Sequence, residues 1–149
     1  HGVVWNETTQ RLYAIGGQSL QIYKLKDWET AAPSLELEKT VQTPQGGLHD
    51  MSYVNSNTLC IGGRRAYLYD IGANRFTEMM LFSASTAIKS INYNDETGEL
   101  WYTDSTNPEG SQSWSTQTIR YSTDKNASTE TRTIKVPDLD VYKVRVMNW

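Results

Sequence analysis

Four short stretches of this chain superpose. "HGVVWNE" from His1, "HDMSYVN" from His49, "KSINYND" from Lys89 and "KVRVMNW" from Lys143 each open on a basic or imidazole residue. A large side chain follows four positions later, at Trp5, Tyr53, Tyr93 and Met147, and Asn comes next at Asn6, Asn94 and Asn148. A repeat constrains architecture more than local propensity does, because each unit must bury its apolar faces against its neighbours. From His1 to His49, Lys89 and Lys143 the units run 48, 40 and 54 residues.

The similarity continues downstream. "RLYAIGG" (11–17), "NTLCIGG" (57–63) and "ELWYTDS" (99–105) align as second segments. "LQIYKL" (20–25), "AYLYDI" (66–71) and "TIRYST" (118–123) align as third segments, with Tyr23, Tyr69 and Tyr121 in register. More polar fourth segments follow: "LELEKTVQT", "RFTEMML" and "ETRTIKV". Apolar and polar residues alternate, and turn-forming stretches such as "NETTQ", "GGQS", "GGRR" and "YNDETGE" separate the segments. Both features specify strands joined by tight turns. The long third unit carries an insertion, "TNPEGSQSWST", between its second and third strands.

Four strands in roughly 40–50 residues is the signature of a β-propeller blade. The expected fold is all-β, with four-stranded antiparallel blades over 1–44, 45–84 and 85–138. Residues 139–149 are expected to be the innermost strand of a closing blade. Closed propellers need about 4–8 blades, so other polypeptide is expected to complete the ring, either N-terminal blades or a second chain. The start on His1 without Met suggests a processed or trimmed N-terminus, and the closing strand suggests a natural C-terminus near Trp149.

Composition narrows the function classes. The 149 residues carry a net charge of −3 and a pI near 5.4, so no overall basic field advertises nucleic acid. One cysteine, Cys60, leaves no internal disulfide and no CxxC motif. In "TLCIGG" it reads as core packing. No apolar run approaches the roughly 18 residues of a membrane span. No GxSxG, P-loop, HExxH or GxGxxG motif is present. "NDETGE" (94–99) reads as a hairpin turn, and "TDKNASTETRT" as an exposed polar hairpin tip. Trp5, Tyr53, Tyr93, Trp101, Tyr23, Tyr69 and Tyr121 recur at blade positions and read as core or interblade packing.

The "HGVVW…LYAIGG…LQIY" and "GGLHDM…CIGG…LYD" blades, with "KSI" and "WSTQTIRY", resemble a group of secreted bacterial β-propellers of uncharacterised function. That group is distantly similar to sugar-handling propellers of the oligogalacturonate-lyase type. The resemblance implies a secreted or periplasmic protein and an acidic-sugar ligand. It also implies a His-rich metal site at the propeller axis. Only His1 and His49 could match such ligands, and Lys89 and Lys143 stand at the equivalent places. No cofactor is therefore expected.

The first strand of each blade lines the central channel, so the repeat brings His1, His49, Lys89 and Lys143 to one mouth. Loops between second and third strands open on the same side and carry Arg64, Arg65 and Trp114. These seven residues are the candidate ligand-binding set. Cations focused at one mouth attract anions whatever the net charge; Arg offers a planar fork for carboxylate and Trp a platform for a sugar ring. Adjacent strand residues point to opposite faces, so His49 and Asp50 are not expected to form a catalytic dyad. Asp50 is expected to bond backbone or a neighbouring blade. The first functional expectation is a binding propeller holding an anion such as an acidic carbohydrate at the axial mouth. The alternatives are a lyase or hydrolase using His49 as base or metal ligand, and a scaffold for protein partners.

Overall fold

A computed structural model describes residues 1–81, 86–106, 109, 111–123 and 132–147. Over these residues the chain forms three antiparallel sheets of four strands and no helix. The first sheet holds β1 (Gly2–Asn6), β2 (Arg11–Gly16), β3 (Ser19–Lys26) and β4 (Ser34–Gln42). The second holds β5 (Asp50–Asn55), β6 (Thr58–Gly62), β7 (Ala66–Asp70) and β8 (Arg75–Met79). The third holds β9 (Ile88–Tyr93), β10 (Leu100–Asp104), β11 (Thr118–Ser122) and β12 (Arg132–Lys135). Strand order follows chain order in every sheet, so each is a meander whose first strand lies innermost. β1 abuts β5 and β5 abuts β9.

Alternation of side chains explains the stacking. In the second sheet Leu59, Ile61 and Tyr69 join a core with Val4, Tyr13, Ile15, Leu20 and Ile22 of the first. Their neighbours Cys60 and Ala66 join a second core with Ile88, Ile91, Leu100 and Tyr102 of the third. A sheet covered on both faces needs a nearly continuous apolar run, and "TLCIGG" supplies one. Cys60 is wholly buried, its thiol 3.7 Å from the Met79 sulfur, and burial pushes that thiol's pKa up. Two glycines permit the close approach of neighbouring sheets. A Cβ on Gly2 would sit 2.6 Å from the Met51 backbone nitrogen, and one on Gly62 would sit 2.8 Å from Ile88. The fourth strands β4 and β12 are almost wholly exposed, as the outer rim of a propeller requires.

"NDETGE" is a hairpin turn: Asn94 N–H donates to Glu99 O, and the Asn94 side chain accepts from the amides of Glu96 and Thr97. Most of "TDKNASTETRT" and the last two residues lie outside the described residues.

The closing stretch differs from the other three innermost segments. Residues 142–147 run beside β9 but form no ladder among the described residues, where the strand-like pairing of this stretch is the bridge Thr116↔Val141. They are seated by side chains instead. Val144 N–H donates to Ser90 Oγ (3.0 Å), Asn92 Nδ2 donates to Val144 O (3.1 Å) and Thr103 Oγ1 donates to Tyr142 O (2.8 Å). The physical reason is that no second strand of a closing blade stands next to them among the described residues. The result is an incomplete ring of three blades and one innermost segment.

Candidate functional site

The starts of the innermost segments converge at one end of the channel. The chain reaches β5 through Gly46 and Gly47; Gly47 has φ +72°, a left-handed value that favours glycine. Gly47 N–H donates to Gly17 O and His49 N–H to Gly62 O, which fixes His49 immediately ahead of β5. His49 Nε2 lies 3.0 Å from Nζ of Lys89, the second residue of β9. The His1 ring meets the His49 ring edge-on at 5.6 Å. Lys143 Nζ donates to His1 O (2.9 Å) and to His49 O (3.0 Å). Four residues spread over the whole chain thus meet within one cluster.

Asp50 lies beneath it, fully buried. Its carboxylate turns away from His49 toward the third sheet, where Ile91 N–H donates to Oδ2 (2.9 Å). Lys143 Nζ donates to Oδ1 (2.9 Å), and Arg145 donates through both terminal nitrogens, at 2.8 and 2.5 Å. One carboxylate therefore serves two cations and leaves a positive surplus at the mouth. It also commits the ammonium of Lys143 to holding the closing segment.

The pocket proper has a volume of about 330 Å³ and is lined by His49, Lys89, Trp114 and Tyr142. Trp114 and Tyr142 meet edge-to-face at 5.5 Å, a favoured aromatic arrangement. The loop carrying Trp114 is pinned by Asp140, which accepts from Ser111 N–H (2.8 Å), Ser115 Oγ (2.8 Å) and the Ser111 hydroxyl. Those hydroxyls, Ser111 first, hold the Asp140 carboxyl below the usual range. The pairing of Thr116 with Val141 ties the loop to the closing segment.

Electrostatics follow from burial. Desolvation lowers the His49 pKa, and the charges of Lys89, Lys143 and the chain's amino group push it the same way. Lys89 is also lowered by desolvation, opposed by Asp104. An ammonium can only donate, so His49 Nε2 accepts from Lys89 and the ring proton rests on Nδ1, a tautomer assigned from this contact. Nδ1 is buried with no hydrogen-bond partner among the described residues.

Of the seven sequence candidates, His49, Lys89 and Trp114 line the pocket, His1 flanks it and Lys143 lies below it. Arg64 lies along Gly47, and Arg65 turns outward to Glu78 of β8 (3.5 Å); neither lines the pocket. Tyr142 and Arg145 escaped the sequence reading, whereas Asp50 bonds a backbone amide of the neighbouring blade as expected, at Ile91. Tyr142 precedes an aligned lysine and could have been found as the aromatic next to a ring cation. Among the described residues, no three His, Cys, Asp or Glu side chains are grouped to hold a metal ion. A second cleft, of about 230 Å³, lies at the far ends of β5 and β9, between Tyr53, Asn55, Tyr93 and Asp95.

No family model matches the chain, and no curated protein matches it. Among solved structures, it is similar to a WD40 β-propeller chain in the crystal structure of a mitotic checkpoint complex. The likeness has a TM-score of 0.60 at 14% sequence identity, and covers 95% of this chain and 42% of that one. This chain thus spans less than half the length of the propeller it matches, and what the two share is the β-propeller fold.

Proposed function

We propose that the axial mouth binds a small anion, with an acidic carbohydrate as the best-fitting class. The observation that carries this reading is the pocket itself. Two aromatic walls, Trp114 and Tyr142, stand over a half-buried ammonium, Lys89, that touches an imidazole at hydrogen-bond distance. An aromatic wall suits the apolar face of a sugar ring, and a partly desolvated ammonium whose near contact in the pocket is an imidazole attracts an anion. The surplus charge of Lys143 and Arg145 over Asp50 adds to the local field. A lyase or hydrolase would need a group to orient His49 as a base. Nε2 instead faces Lys89, which favours binding over turnover, and among the described residues Nδ1 has no hydrogen-bond partner. Calorimetric titration with galacturonate and with glucose tests the reading. Galacturonate is expected to bind and glucose to bind far more weakly; equal or absent binding of both overturns it.

A second observation supports a polypeptide partner. Trp5, Leu12, Tyr23 and Leu37 form one row across all four strands of the first sheet, on the face turned away from the second. Val3, Trp5, Leu35 and Leu37 are exposed there. We infer that further blades, from the same polypeptide or another chain, cover this face and complete the closing blade around residues 142–147.

A further inference from the structure

The base of the pocket brings a lysine and a histidine into direct contact, 3.0 Å from Nζ to Nε2. That contact survives only while the imidazole is neutral, because Nε2 must accept. A second ring proton would have to sit on Nε2, facing an ammonium. The surroundings oppose it. The His1 ring stands edge-on at 5.6 Å, Lys143 bonds the His49 carbonyl, and the chain's amino group acts from the start of the first sheet. Asp50, the nearest carboxylate in sequence, is engaged by Ile91, Lys143 and Arg145, and Asp104 acts on Lys89. The Tyr142 phenol completes the wall.

An anion seated between Lys89 and His49 reverses this balance. Its oxygens accept from Lys89 Nζ, which frees Nε2, and a protonated Nε2 then becomes a second donor to the same anion. Resting on the anion-binding reading above, we propose that the site takes up its anion together with one proton, which settles on His49 Nε2. The proton comes from solvent. The only interaction lost is the Lys89–His49 hydrogen bond, replaced by one hydrogen bond from each residue to the ligand. The site would thus select ionised acids over neutral analogues through both charge and proton uptake. The lowered His49 pKa, caused by burial and the neighbouring cations, supports the direction. Binding strengthens as pH falls through the interval between the bound and the free pKa, and levels off on either side.

Calorimetry of the 149-residue chain with galacturonate at about pH 8 and about pH 5.5 reads this out, since the galacturonate carboxylate stays ionised over that range. Repeating each titration in two buffers of different ionisation enthalpy counts protons. Affinity about tenfold tighter at the acid end is expected, the equivalent of a one-unit rise in the His49 pKa on binding, with uptake peaking at about half a proton per ligand midway between the free and bound pKa values. In His49→Gln the uptake is expected to vanish. The midpoint of the His49 ring resonance is expected to rise when the ligand saturates the site. Binding without proton uptake overturns this proposal and leaves the anion-binding reading standing. Uptake that persists in His49→Gln and vanishes in His1→Gln assigns the proton to the other ring and likewise overturns it. Absence of binding at both pH values overturns both.

Discussion

Asp50 holds more of the axial architecture together than any neighbouring side chain. It has no exposed surface, and its acceptor capacity is used by three groups on two elements: the Ile91 amide of β9, and the Lys143 ammonium and Arg145 guanidinium of the closing segment. Replacement by alanine strands the Ile91 N–H and leaves two cations facing each other. The cations left behind stay partly open to solvent, so the cost is that of a stranded buried amide and lost charge-assisted hydrogen bonds, and Asp50→Ala is expected to lose about 2 kcal/mol in urea titrations. Asp50→Asn, which keeps an oxygen for the Ile91 amide, is expected to lose less. A loss below about 1 kcal/mol in the alanine variant would show that the carboxylate does not hold the segment. At this scale the convergence of His1, His49, Lys89 and Lys143 was legible in the sequence, because a repeat places equivalent positions at equivalent points. The opposite facing of His49 and Asp50 was legible from strand alternation. That Asp50 would engage Lys143 and Arg145 was not legible. That contact spans more than ninety residues of sequence and depends on how closely the closing segment approaches the second sheet.

The closing segment shows what separates an innermost strand from a chain lying in an innermost position. β1, β5 and β9 each pair with a following strand; residues 142–147 have no such partner among the described residues. Their backbone relies on a chain of hydroxyls. Thr103 Oγ1 donates to Tyr142 O, so Ser90 Oγ donates to Thr103 Oγ1 and accepts from Val144 N–H. Linked donors of this kind polarise one another. Ser90→Ala breaks the chain in the middle and leaves the Val144 amide without its acceptor. The Val144 amide is expected to exchange with solvent about tenfold faster, the equivalent of about 1.4 kcal/mol, while amides of β6 keep their protection. Equal rates in the two proteins would show that the hydroxyls do not seat the segment. The twelve strands were legible from the repeat because side-chain alternation and turn residues are local signals. The missing ladder was not, because "VYKVRVMNW" has the composition of a strand whether or not a partner stands beside it. The placing of residues 111–116 of the insertion was equally hidden: it depends on Asp140, outside the insertion, capturing Ser111 and Ser115.

Over the whole molecule, the same sheet-on-sheet geometry occurs twice and then stops. Between the first and second sheets Val4, Tyr13, Ile15 and Leu20 are buried against Leu59, Ile61 and Tyr69. On the far side of the first sheet an equally apolar row, Trp5, Leu12, Tyr23 and Leu37, has no sheet opposite it among the described residues. Trp5 read as interblade packing from the sequence, yet it is exposed, because the blade it would pack against is not among these residues. The likeness to 42% of a propeller chain accounts for the open face in terms of fold. Contiguous apolar surface of this kind drives association. The isolated 149-residue chain is therefore expected to self-associate with rising concentration in sedimentation velocity. A Leu35→Lys, Leu37→Lys double variant places two charges on the exposed rim strand β4, where they disturb neither core, and is expected to sediment as a monomer over the same range. Each charge must be desolvated for the face to be covered, and that cost exceeds what burial of the displaced leucine returns. If wild type and variant show the same concentration dependence, association runs through another surface, and the open end of the third sheet beside residues 142–147 becomes the face to test. If both are monomeric, the exposed row alone is too weak to hold two copies together, and the blade proposed to cover it must bind through further contacts.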